Sequence, residues 1–139
     1  MSVKISKHVK SSWASKSAIT EKPWGHEVTW SALPSVTGKI LYMKGDSRNS
    51  LKINILKDEC LLVLSGTIEA EYGTELSLED PVMHPFEKQM LSAGSVLNVQ
   101  SGCPYRLRAV VDSQVIEISN AALSSRTEIV RIEDDYGRD

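Results

Sequence analysis

The stretch Ser50-Leu51-Lys52-Ile53-Asn54-Ile55-Leu56-Lys57-Asp58-Glu59-Cys60-Leu61-Leu62-Val63-Leu64-Ser65-Gly66 decides the class of fold. Two β-prone runs, 50–55 and 60–64, flank a polar turn at Lys57 and Asp58, and another turn follows at Ser65 and Gly66. Runs this short, closed by turn residues, leave no room for the repeat of an amphipathic helix. The same rhythm extends to both sides. Further runs fall at 26–31, 39–44, 67–72, 95–99, 105–111 and 114–119, punctuated by Pro34 and Gly38, Gly45 and Asp46, Ser101-Gly102-Cys103-Pro104, and Asp112 and Ser113. Many short strands at close spacing predict an all-β antiparallel barrel or sandwich. The long gap 73–88 is acidic, carries Pro81 and Pro85, and reads as an extended surface loop.

The rest of the chain is consistent with one globular domain. A length of 139 residues suffices for a single core, and 41% hydrophobic with 24% charged residues excludes a disordered or fibrous chain. No apolar run approaches a bilayer span and no apolar leader is visible, so the expected location is cytoplasmic, with no membrane partner. Cys60 and Cys103 fit neither a disulfide framework nor a zinc motif and are expected to be reduced thiols. Charge is uneven. Lys4, Lys7, Lys10 and Lys16 give residues 1–20 a charge of +4, which leaves −6 for 21–139 in a chain of net −2. The expected organisation is a basic, flexible arm over 1–20 and a β-barrel domain over 21–139. The arm is serine-rich and lacks arginine, so no nucleic-acid partner is expected.

Strand parity raises the first functional question. In 50–55 the apolar Leu51, Ile53 and Ile55 share one face, and Ser50, Lys52 and Asn54 share the other. In 105–111, Tyr105, Leu107, Ala109 and Val111 form one row opposite Arg106, Arg108 and Val110, and Glu117 stands opposite Ile116 and Ile118. For an isolated strand, the polar side ordinarily faces solvent. Periodicity alone does not say which face is interior.

The ends of the chain bear on that choice. Ile129-Val130-Arg131-Ile132-Glu133-Asp134-Asp135-Tyr136-Gly137-Arg138 and Lys22-Pro23-Trp24-Gly25 resemble the closing and opening signatures of cupins, in particular of the mannose-6-phosphate isomerase type II domain. Both cupin motifs can be laid in frame between them: Lys52, Asn54, Glu59 and Gly66 in the first, and Gly94, Gln100, Gly102 and Tyr105 in the second. The resemblance implies a jelly-roll β-barrel with its site in the mouth.

In that family a divalent metal is held at the positions of Lys52, Asn54, Glu59 and Tyr105, and only Glu59 is a good ligand here. Lysine repels a divalent cation, Asn54 offers a weak carbonyl, and tyrosine would have to ionise. The resemblance therefore implies a degenerate metal site and no cofactor. Lys52 is expected to occupy the vacated region and to pair with Glu59. The expected ligand is a sugar phosphate or sugar nucleotide, held by Asn54, Glu117, Arg131, Tyr136 and Arg138. Should the barrel be an isomerase or epimerase using metal-free acid–base chemistry, Glu59, Lys52 and Tyr105 are the catalytic candidates, with Glu117 a second possible base. A third reading is a non-catalytic regulatory or structural homodimer, covering the face of Leu51, Ile53 and Ile55 if that face lies outside the barrel.

Overall fold

The structure is a computed structural model that describes residues 9–31, 33–120 and 129–138. Lys4, Lys7 and His8 of the basic arm lie outside the described residues. Eleven strands follow one another without a helix among the described residues: β1 (Ala18–Lys22), β2 (Gly25–Thr29), β3 (Thr37–Met43), β4 (Leu51–Asn54), β5 (Glu59–Ser65), β6 (Thr67–Tyr72), β7 (Glu87–Ser92), β8 (Val96–Val99), β9 (Tyr105–Ala109), β10 (Ser113–Ser119) and β11 (Ile129–Glu133). One sheet has the order β1-β2-β3-β10-β5-β8 and the other β11-β4-β9-β6-β7, with every pairing antiparallel. The all-β expectation is met, and the two sheets form the jelly-roll barrel.

The turns follow from their residues. Pro23 and Trp24 are the two loop residues of the β1–β2 hairpin, since Lys22 pairs with Gly25. Gly25 has φ 150°, and a Cβ there would lie 1.9 Å from the Tyr42 carbonyl oxygen, so only glycine fits. Gly66, with φ 89°, carries the chain from β5 in one sheet to β6 in the other in a single residue.

Three strands depart from the sequence reading. Ala18, Ile19 and Thr20 of the expected arm belong to β1, and Glu87 and Lys88 of the expected loop open β7. β11 is a strand where only a closing signature was recognised.

The barrel is filled unevenly. Met43, Leu61, Val63, Ile68, Leu107 and Val115 are almost wholly buried in one continuous apolar core. Towards the other end the inward positions turn polar. On β3, Lys39 precedes the inward Leu41 and Met43; on β10, Glu117 follows Val115; on β5, Glu59 precedes Leu61. Register sets Glu117 opposite Lys39 on one side and Leu61 on the other, and places Ser119 opposite Glu59. Apolar packing thus supports one half of the interior and charged side chains line the other. The outer apolar face of β4 is already partly covered within the chain: Leu51 is buried outside the main core, while Ile55 is exposed.

Candidate functional site

The polar half of the barrel opens as a cavity enclosing about 80 Å³, with Trp24 and Leu41 as its apolar wall. Strand alternation delivers its polar side chains. Lys52 and Asn54 come from β4, Glu59 from the start of β5, Glu117 from β10, Arg131 from β11, and Arg138 from the segment beyond it. The polar face of β4 therefore points inward, the reverse of what an isolated strand favours. Tyr105 is opposite Lys52 in the β4–β9 register and is fully buried beneath it.

Glu59 is the centre of the hydrogen-bond network. Asn54 Nδ2 and Tyr105 Oη both donate to its Oε1, the latter at 3.0 Å. Because a carboxylate accepts, this contact fixes the orientation of the Asn54 amide and leaves its Oδ1 buried without a partner among the described residues. Lys52 does not form the ion pair with Glu59 expected from the sequence. Its Nζ lies 4.3 Å from the centroid of the Tyr105 ring and donates weakly to the Ser50 carbonyl at 3.4 Å. The face of the Tyr105 ring, not a carboxylate, is thus the close contact of this ammonium.

Burial and these contacts shift the titrations. Burial pulls Lys52 down to about 8, against the opposing pull of Glu59 and Glu117. Burial and then Glu59 push Glu117 up to about 7, although Lys39, Lys52 and Lys57 act the other way. Burial, with Glu59 and Glu117 nearby, holds the Tyr105 phenol well above the usual tyrosine range, so it remains a donor at neutral pH. Burial acts to lower Lys39, but Glu117 and Glu27 outweigh it and the group ends above its ordinary value.

Four residues absent from the sequence expectation complete the charged lining: Lys22, Glu27, Lys39 and Lys57. Glu27 Oε1 holds Lys39 at 3.3 Å and Lys22 at 3.8 Å. Lys57 is buried, yet its ammonium makes no hydrogen bond or ion pair among the described residues. The available signal was parity, since Lys39 shares a face with Leu41 and Met43. It was masked by the apolar Ile40 and Tyr42 on the other face.

Of the expected site residues, Lys52, Asn54, Glu59, Glu117, Arg131 and Arg138 line the cavity, and Tyr105 supports it from below. Tyr136 does not join them. It is partly exposed and donates to the Arg48 carbonyl at 3.0 Å, while Asp135 pairs with the Arg48 guanidinium at 2.7 Å, which pins the tail to the barrel. The tail places Arg138 at the cavity by a different contact, since Asp134 holds the guanidinium at 2.9 Å and 3.1 Å. Cys60 faces outward, and Cys103 belongs to a separate surface groove.

The four positions at which the resemblance implies metal ligands do not suit a divalent ion. Glu59 Oε1 is engaged by two donors, Tyr105 is held protonated, and an amine on a buried stem occupies the remaining place. Among the described residues no three His, Cys, Asp or Glu side chains converge.

No protein-family model matches the sequence, and no curated protein sequence matches it. Solved structures do. KdgF from Halomonas sp. superposes with a TM-score of 0.65 at 15% identity, over 78% of this chain and 92% of that one. CapF from Staphylococcus aureus, a capsular polysaccharide assembling protein, gives 0.68 at 13% identity over 86% of this chain and 35% of its own. A variant of oxalate decarboxylase from Bacillus subtilis gives 0.70 at 9% identity over 84% of this chain and 30% of its own. This chain thus spans about a third of the length of the latter two. The likeness establishes the fold: the chain has the jelly-roll fold seen in cupins.

Proposed function

We propose that this jelly-roll barrel binds an anionic sugar derivative, a sugar phosphate or sugar nucleotide, in its mouth without a divalent metal. The observation that carries the reading is the imbalance of charge around the cavity. Lys22, Lys39, Lys52, Lys57, Arg131 and Arg138 face it against Glu27, Glu59 and Glu117, with Asp134 holding Arg138 from outside the lining, and the Lys57 ammonium, which acts on Glu117 only through space, makes no hydrogen bond or ion pair among the described residues. An ammonium held at a cavity wall by a mostly buried stem is a ready partner for an entering anion. The Asn54 Oδ1 acceptor suits a sugar hydroxyl, and Trp24 supplies an apolar wall. With about 80 Å³ enclosed, a compact group such as a phosphate enters while the remainder of the ligand stays at the rim. CapF, described as a capsular polysaccharide assembling protein, makes a sugar-related ligand reasonable for this fold.

The test is a ligand-observed magnetic resonance screen of sugar phosphates and nucleotide sugars, with metal content measured on the same sample. Binding of a phosphorylated sugar to metal-free protein is the expected result. A requirement for stoichiometric metal would overturn it.

A second reading is favoured by one specific observation. Glu117 at about 7 and Lys52 at about 8 both titrate near neutral pH beside the same cavity, as a metal-free isomerase or epimerase requires of its acid and base. Glu117 is the better base, because Glu59 is tied up by two donors. Exchange of a bound sugar's C2 proton with solvent deuterium, lost in Glu117→Gln, is the outcome this reading predicts. Binding with no exchange leaves the protein a binder.

A further inference from the structure

The four lysines that face the cavity differ in what holds them. Lys22 and Lys39 share Glu27, at 3.8 Å and 3.3 Å. Lys57 comes from the turn between β4 and β5. Lys52 stands on β4 itself, opposite Tyr105 on β9 and opposite Arg131 on β11, so two neighbouring strands fix where its stem points. An ammonium can donate three hydrogen bonds. The Lys52 nitrogen makes one long bond, to the Ser50 carbonyl at 3.4 Å, and otherwise lies 4.3 Å from the centroid of the Tyr105 ring, with no carboxylate paired to it among the described residues. Burial removes water from its charged form, and Arg106 and Arg131 act in the same direction against Glu59 and Glu117. A lysine desolvated beside other cations and free of a paired carboxylate has the setting in which amines serve as nucleophiles.

We propose that Lys52 is a nucleophile that forms an imine with the carbonyl carbon of a short open-chain aldehyde or ketone phosphate held in this cavity. The proposal deepens the anionic-sugar reading and rests on it for the phosphate, which Lys57 meets. The cavity of about 80 Å³ has room for several water molecules, enough for a phosphate and a carbonyl a few bonds away. The unprotonated Lys52 nitrogen adds its lone pair to the carbonyl carbon; a C–N bond forms, and the carbonyl π pair and one amine proton go to the oxygen. Glu117, on the wall across the cavity, is the proton donor for the next step, since burial keeps its carboxyl protonated up to about pH 7. Its proton goes to the new hydroxyl, the C–O bond breaks with its electron pair, water leaves, and the nitrogen lone pair closes the C=N bond. Glu59 is not suited to that task, because its Oε1 already accepts from Asn54 and Tyr105. The protonated imine keeps the positive charge over the Tyr105 ring, where the ammonium lay, and the Glu117 carboxylate now balances it. Such an imine withdraws electrons from the adjacent carbon and makes its proton easier to remove, with Glu117 ready as the base.

The test is reductive trapping on the full chain with glyceraldehyde 3-phosphate and sodium cyanoborohydride, read by intact mass and peptide mapping. Binding of the same aldehyde phosphate without reductant is followed in parallel by ligand-observed magnetic resonance. Cyanoborohydride delivers hydride to the imine carbon, so each imine becomes a stable secondary amine. The expected result is one adduct per chain, with Lys52 labelled at least ten-fold more than the exposed Lys16 and Lys44, and labelling suppressed by excess inorganic phosphate. Lys52→Met is expected to lose that mass gain; should this variant unfold, the wild-type peptide map decides by itself. Labelling spread evenly over exposed lysines, or centred on Lys57, would overturn the proposal. Binding with no adduct at Lys52 would overturn the imine and leave the anion-binding reading standing, whereas absence of both would overturn the two together.

Discussion

Replacing Tyr105 with phenylalanine keeps the ring beneath Lys52 but removes one of the two donors on Glu59 Oε1. A buried carboxyl left one donor short is destabilised, so Tyr105→Phe is expected to cost about 1–3 kcal/mol in urea unfolding. The titrations make a sharper prediction. Glu117 rises from 4.5 to about 7 on folding, through burial first and Glu59 second, so the folded chain keeps a proton that the unfolded chain releases. Stability must then fall as pH rises from about 4.5 to about 7. Lys52 is lowered from 10.5 to about 8, so its contribution is present above about 10.5 and is lost as pH falls through about 8. These two groups together give a minimum between about 7 and 8. Urea midpoints measured across this range should show the acid-side slope flattened in Glu117→Gln, and parallel curves for the two proteins would contradict the assignment. Lys52, Asn54, Glu59 and Tyr105 were legible only because motif spacing placed them in frame. Lys39 and Lys57 were not, since a charged residue in or beside a strand reads as solvent-facing until the register shows where it points.

At the level of elements, the hairpin at Lys22-Pro23-Trp24-Gly25 both turns the chain and supplies a wall of the site, because Trp24 is buried at the cavity. Gly25→Ala would press a Cβ into the Tyr42 carbonyl, a backbone atom with little freedom to yield. The expected cost is about 3 kcal/mol or more, and differential scanning calorimetry should find a large fall in Tm. The strands that escaped the sequence reading share one property. β1, β7 and β11 are all edge strands, and each buries few side chains; in β7 only Leu91 is buried. Such strands are held by backbone hydrogen bonds on one side, which leave no two-residue alternation in the sequence. The central strands β5, β6, β9 and β10 do alternate, and those were legible. β8 is also an edge strand, but Leu97 and Val99 are buried and gave it away.

Across the whole molecule, an acidic domain gathers cations around one opening. The chain has net charge −2, yet six lysines and arginines face the cavity against three glutamates. Attraction of an anion to that opening should weaken as salt is raised, most strongly at the exposed rim. The apolar half of the barrel supplies stability, and the polar half is maintained at some cost to it, a division that the fold alone does not demand. Calorimetric titration of metal-stripped protein with a sugar phosphate and with the same sugar lacking its phosphate tests this account most directly, using the phosphorylated sugar that the screen identifies. The phosphorylated sugar is predicted to bind, the neutral sugar to bind far more weakly, and Lys57→Met to lose about ten- to a hundred-fold in affinity. Equal binding of the two sugars, or an unchanged affinity in Lys57→Met, would contradict it.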